Sequence, residues 1–183
     1  FAAEIGDISF PARALEAYSE SLGSTVDLPT VRAAKFKLVV DYSFGATAFV
    51  LPTLLGKLGA DVLGVNPYIS TVQRIEVDLE SALENVSRLV RSSGAHLGAV
   101  LDPDGEHLYL IDDTGHVLSA DESRLAMVSL VAGHMDADRV ALPVNVSSVA
   151  SRLLEPCGMT VQHTKTSTAA LMAAASEPRV GFA

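Results

Sequence analysis

Asp102, Asp104 and Glu106 stand at every second position of the stretch Leu101-Asp102-Pro103-Asp104-Gly105-Glu106-His107. Carboxylates so spaced can aim their oxygens at one point, as a hard divalent cation such as Mg²⁺ requires. The same letters also spell a tight turn. Pro103 pre-sets φ, Asp104 can bond nearby backbone, and Gly105 tolerates a positive φ. On residue types alone both readings stand: a metal loop and a hairpin turn. Of the five histidines, only His107 has a charged cluster beside it.

The elements on either side must position that loop. Apolar runs at 97–101 and 108–111 flank it and read as strands of a hairpin. Upstream, 36–40 reads as a short buried strand ending at Asp41, and 42–45 as a turn. An apolar helix is expected over 46–58, with a kink or early break at Pro52. A strand over 61–66 follows, closed by Pro67. Asp78 then caps a helix through Arg91 whose Leu79, Leu83, Val86 and Val90 share one face. Asp113-Thr114-Gly115 makes a second turn before a short strand at 116–118. Strands alternating with helices build a mostly parallel sheet, and ligands of such sheets gather outside the carboxyl ends of the strands. Asp41, Asn66 and Asp102 all fall at such ends.

A second unit of the same kind begins near residue 119. Helices are expected over 122–132, from Ser147 or Ser148 to Cys157, and from Thr166 or Ser167 to Ala175. Strands are expected over 139–144, 159–163 and 179–183. The fold class is therefore α/β: two tandem three-layer α/β/α units with mostly parallel, mixed sheets, the second truncated. Boundaries fall at 35–118 and 119–183. Residues 1–34 are expected to be a linker or the tail of a preceding domain, with a helix over 11–21, a loop at 27–29 and a short helix from Thr30. The chain does not open with Met, so a longer parent is expected.

Composition narrows the function. The 183 residues are 49% hydrophobic and 19% charged, as in a well-buried globular protein. A net charge of −9 and the lack of any basic run argue against nucleic acid as a partner. No apolar run reaches transmembrane length, and no signal-peptide pattern opens the chain, so no membrane partner is expected. The lone Cys157 excludes a disulfide framework and fits a reducing cytoplasm.

Several segments resemble a known family in the order in which they occur. Lys37-Leu38-Val39-Val40-Asp41-Tyr42-Ser43-Phe44-Gly45-Ala46, then Leu54-Leu55-Gly56-Lys57-Leu58-Gly59-Ala60-Asp61-Val62, resembles the opening of the second domain of the α-D-phosphohexomutases. These are the phosphoglucomutase/phosphomannomutase enzymes. Residues 94–102 are similar to the strand that leads into the family's metal loop, and the match continues through 108–115 and 117–121. Val144-Asn145-Val146-Ser147-Ser148 and His163-Thr164-Lys165-Thr166 look like segments of the third domain. The resemblance covers about 31–183.

The resemblance implies interconversion of hexose 1- and 6-phosphates through a phosphoserine, with Mg²⁺ held by an Asp-Gly-Asp-x-Asp-Arg loop. Carried over, Asp102, Asp104 and Glu106 become the metal ligands, and His107 takes the place of the arginine. Lys165 would face a substrate phosphate. Pro103 replaces a glycine, and His107 gives up a permanent charge and a bidentate fork suited to phosphoryl oxygens. No phosphoserine segment, sugar-reading loop or fourth domain occurs in these residues. The fragment alone is expected not to turn over, and its partners are a sugar phosphate and other domains of the same polypeptide. The alternative is a degenerate, non-catalytic mutase-like module fused to a sugar-1-phosphate nucleotidyltransferase. A plain oligomerisation scaffold is a third possibility.

Other candidates have simpler explanations. Ser147 and Ser148 lack the flanking glycines of a nucleophile elbow and read as helix caps. The histidines show no zinc spacing. Gly45 opens a helix without a glycine-rich run, so close packing explains it better than a phosphate cradle.

Overall fold

The computed structural model describes residues 12–70, 72 and 77–183. The chain divides between Val117 and Leu118 into two compact units. In the first, a four-stranded sheet has the order β2-β1-β3-β4. Its strands are β1 (Lys37–Asp41), β2 (Asp61–Val65), β3 (Leu97–Leu101) and β4 (Leu108–Ile111). β1 pairs parallel with β2 and β3, and β4 runs antiparallel to β3. Val117 bridges back to Ile111 as the remnant of a closing strand.

Alternation along β1 explains the layers. Val39 joins Val100 and Ile111 in a core completed by Val86 and Val90 of one helix, α4 (Leu79–Ser93). Val40 and Tyr42 face the other way and pack with Leu101, Leu51 and Leu55, the last two from α3 (Leu51–Lys57). Successive side chains of a strand point to opposite faces, so one short apolar run serves both cores. The result is helix, sheet, helix. Asp78 caps α4 by accepting from the Glu80 amide at 3.2 Å, and Gly94 ends it at φ 65°. Gly98 faces α4 at close range; a Cβ there would lie 2.7 Å from Val90.

Two prolines act differently from the expectation. The break in 46–58 falls at Val50, between a 3-10 turn (Ala46–Phe49) and α3. Pro52 then opens α3, where its missing N–H costs nothing. Pro29 likewise sits in the first turn of α2 (Leu28–Ala34), which Asp27 caps through Thr30. The helix expected from Thr30 therefore starts earlier. α1 (Ala14–Gly23) precedes it; the expected start at Pro11, like the first residues of the chain, lies outside the described residues.

The second unit holds β5 (Arg139–Pro143), β6 (Thr160–Thr164) and β7 (Val180–Phe182), all parallel, in the order β6-β5-β7. Val140 and Leu142 of β5 pack with Val128 and Ala132 of α5 (Ala120–Ala132) and Ala150 and Leu154 of α6 (Val149–Leu154). α7 (Thr168–Ala175) packs on β5 as well. α5 begins two residues before the expected start, because Ser119 and Glu122 form a reciprocal capping box. The Ser-x-x-Glu pattern that announces such a box is present in the sequence.

Candidate functional site at the carboxyl edge of the first sheet

Asp41, Asn66 and Asp102 end or follow β1, β2 and β3. Asp41 is buried, 1% exposed, at the end of a strand that is central in the sheet. Its Oδ1 accepts from the Ser43 amide at 2.8 Å, and Asn66 Nδ2 donates to both its oxygens. Ser43 and Phe44 both adopt left-handed backbone, at φ 47° and 55°, as does Asn66 at 49°. Non-glycine residues rarely sit there without a structure that holds them. The Asp41 hydrogen bonds supply part of that hold.

The turn after β1 supports the acidic loop directly. The Ala46 amide donates to the Pro103 carbonyl at 3.2 Å. Gly45 lies so close that a Cβ would fall 2.3 Å from the same oxygen, which gives its glycine a packing reason.

Within the loop, Asp102 does most of the bonding. Its Oδ1 accepts from the amides of Glu106 at 2.8 Å and His107 at 3.1 Å, and its Oδ2 lies 2.8 Å from His107 Nδ1. Burial alone pushes this carboxyl up, but the hydrogen bonds from the His107 ring and the two amides hold it below the usual aspartate range. Backbone bonds close the hairpin: the Gly105 amide to the Asp102 carbonyl, and the Asp102 amide to the His107 carbonyl. Gly105 takes φ 75°. The structure thus brings Asp102 and His107 together, while Asp104, Glu106 and His107 are exposed.

Mg²⁺ demands near-octahedral oxygen geometry, whereas three donor contacts already engage the two oxygens of Asp102. Among the described residues, no group of three or more His, Cys, Asp or Glu is placed to hold a metal ion. In this arrangement the loop does not fit Mg²⁺.

Asp104 and Gly105 also border a mainly apolar cleft of 450 Å³ with Tyr18, Leu22, Thr47 and Leu108. Sequence reasoning did not find this cleft, because α1 and the loop are far apart in the chain. Lys165 belongs to the second unit, exposed and directly after β6. Ser147 Oγ accepts from the Val149 amide at 3.3 Å at the start of α6, a helix-start contact.

A mostly parallel α/β sheet with loops gathered at its carboxyl edge defines the class. The family follows from comparison. Residues 16–115 match the family model described as phosphoglucomutase/phosphomannomutase, alpha/beta/alpha domain II. The chain belongs to that family. A phosphoglucosamine mutase of Maricaulis maris is 37% identical over 125 residues, covering 67% of this chain and 26% of that protein. The chain thus spans about a quarter of the length of the curated relatives it matches. The structure of a phosphoglucomutase/phosphomannomutase family protein from Burkholderia thailandensis superposes with a TM-score of 0.74 at 19% identity, over 88% of this chain and 35% of that one. A mutase from Aspergillus fumigatus, solved with GlcNAc-6P and magnesium, gives 0.50 at 19% identity, over 87% of this chain and 37% of that one. These two show the shared fold.

Proposed function

We propose that this chain is the middle portion of a cytoplasmic protein that interconverts 1- and 6-phosphates of a hexose or hexosamine. The observation that carries the reading is the family match, which runs through the first sheet and the loops at its carboxyl edge. The mutase relatives favour it over the nucleotidyltransferase fusion. In this reading a sugar phosphate is the substrate, and other domains of the same polypeptide complete the site. His107 and Lys165 are the hydrogen-bond donors that this chain offers to phosphoryl oxygens, each within its own unit. Phosphoryl transfer depends on positioning and charge stabilisation, so neither unit is expected to turn over alone. Among the described residues, no helix is long and apolar enough to cross a membrane.

One observation favours a second reading. His107 Nδ1 rests on Asp102 Oδ2, an oxygen that the resemblance would give to a metal ion. That arrangement suits a mutase-like module that binds sugar phosphate, or supports neighbouring domains, without turnover. The deciding experiment is a coupled mutase assay on the intact parent with glucosamine, glucose and mannose phosphates. Turnover on any of them supports the first reading. A folded parent that turns over none of them overturns it and leaves the second.

A further inference from the structure

We propose that the loop 102–107 of this chain is a self-closed hairpin that works without a divalent cation, in disagreement with the metal loop its family implies. The structure contains its own control. Ten residues on, the turn after β4 is built to the same plan. Asp112 Oδ1 accepts from the Thr114 and His116 amides at 2.9 Å each, as Asp102 Oδ1 accepts from Glu106 and His107. In both turns the glycine amide donates to the carbonyl of that aspartate, and the aspartate amide donates to the carbonyl of the closing histidine. Gly105 and Gly115 supply the positive φ, at 75° and 83°.

The two hairpins also lean on their surroundings alike. Pro103 accepts from the Ala46 amide through its carbonyl, and Gly115 accepts from buried Ser87 Oγ of α4 at 2.5 Å. The turn at 112–116 has the acidic opening, the glycine and the histidine of a hairpin, and in each turn a side chain also reaches the aspartate: Thr114 Oγ1 donates to Asp112 Oδ1 at 2.7 Å, and the acidic loop uses its histidine ring. His107 Nδ1 comes to 2.8 Å from Asp102 Oδ2. Against an ionised carboxylate that nitrogen carries the proton, so it presents a donor where a cation would need a lone pair. A carboxylate offers about four such positions, and three are engaged here. Glu106 is drawn into the turn through its backbone amide, and among the described residues no three acids converge.

The inference concerns the loop of the function proposed above and rests on the family assignment, but its readout is metal binding and not turnover. The ¹⁵N-labelled chain is titrated with Mg²⁺ through millimolar concentrations, and then with Mn²⁺. The Gly105, Glu106 and His107 amide signals are expected to stay in place, and Mn²⁺ is expected to broaden them no more than those of Thr114 and His116. A saturable shift or selective broadening at 102–107 that disappears in Asp104→Ala overturns the proposal, whatever the parent's activity. The closing role of the imidazole is read by hydrogen exchange. His107→Ala is expected to speed exchange of the Glu106 and His107-position amides several-fold while leaving Thr114 and His116 unchanged. Equal exchange in the variant and the natural chain overturns the side-chain closure.

Discussion

Asn66 Nδ2 donates to both carboxylate oxygens of Asp41, at 3.0 and 3.2 Å, and so ties the carboxyl ends of β2 and β1 together. The pair lies beside three left-handed residues, Ser43, Phe44 and Asn66. Asp41→Ala would leave the Ser43 amide and the Asn66 amide group without this acceptor. A loss of about 1–3 kcal/mol is expected from the unmet donors. Asp41→Asn keeps one acceptor oxygen and should cost less. Urea unfolding followed by far-UV circular dichroism checks the order of the two variants.

Gly45 and Gly56 should respond oppositely to alanine. At Gly45 the new Cβ would meet the Pro103 carbonyl at 2.3 Å, and backbone cannot move aside as a flexible side chain can. A loss of about 1–3 kcal/mol is expected, as for other overpacked sites. At Gly56, inside α3, nothing lies within 4 Å of a Cβ. There alanine removes backbone entropy from the unfolded chain and should add about 0.5–1 kcal/mol. Paired thermal melts of the two variants test the contrast.

In the second unit, Leu154 is fully buried against β5 and α5, whereas Leu130 is 68% exposed. Leu154→Ala is expected to cost about 2–5 kcal/mol through lost burial and a residual cavity. Leu130→Ala should stay within about 0.5 kcal/mol. Denaturant midpoints of the two variants report the difference, and similar midpoints would contradict the assigned core.

Acid should weaken both units. The side-chain hydroxyls of Ser81 and Thr114 hold the carboxyls of Asp78 and Asp112 below the usual range, and Arg179 does the same for Asp138. A carboxyl depressed in the folded state lends stability above its unfolded pKa and loses it as pH falls through the folded value. Thermal midpoints should therefore hold from neutral pH down to about 4 and decline below it. Asp78 and Asp138 are exposed and Asp112 is half-buried, so the decline should be shallow. Asp112→Asn should flatten it further.

Much of the fold was legible in the sequence because its signals were local. The run Leu38-Val39-Val40 marked a buried strand, and Asp78 and Gly94 bracketed α4 as a cap and a stop. The prolines misled because the same residue that breaks a helix interior is welcome in a first turn, and only the true start decides which applies. The site was legible in part. Residue types placed Asp41, Asn66 and Asp102 at strand ends, but which atoms the Asp102 oxygens would meet depends on the turn's hydrogen bonds. Alternating carboxylates describe spacing along the chain and not convergence in space. The closure by His107 and the buttress of Gly45 against Pro103 both required the third dimension.

In each sheet the strand made first is the one that ends in the middle: β1 pairs with β2 and β3, and β5 with β6 and β7. A ribosome therefore releases the central strand before either neighbour exists. Lys37 must wait for Asp61, and Leu38 for Leu97, so the apolar run of β1 spends part of synthesis with both edges open. Pairings across such separations close slowly, because loop entropy is lost before any contact compensates it. The antiparallel step from β3 to β4 is local and quick by comparison. Each unit is thus built from its centre outward, and its most aggregation-prone moment falls early, while the middle strand is still alone.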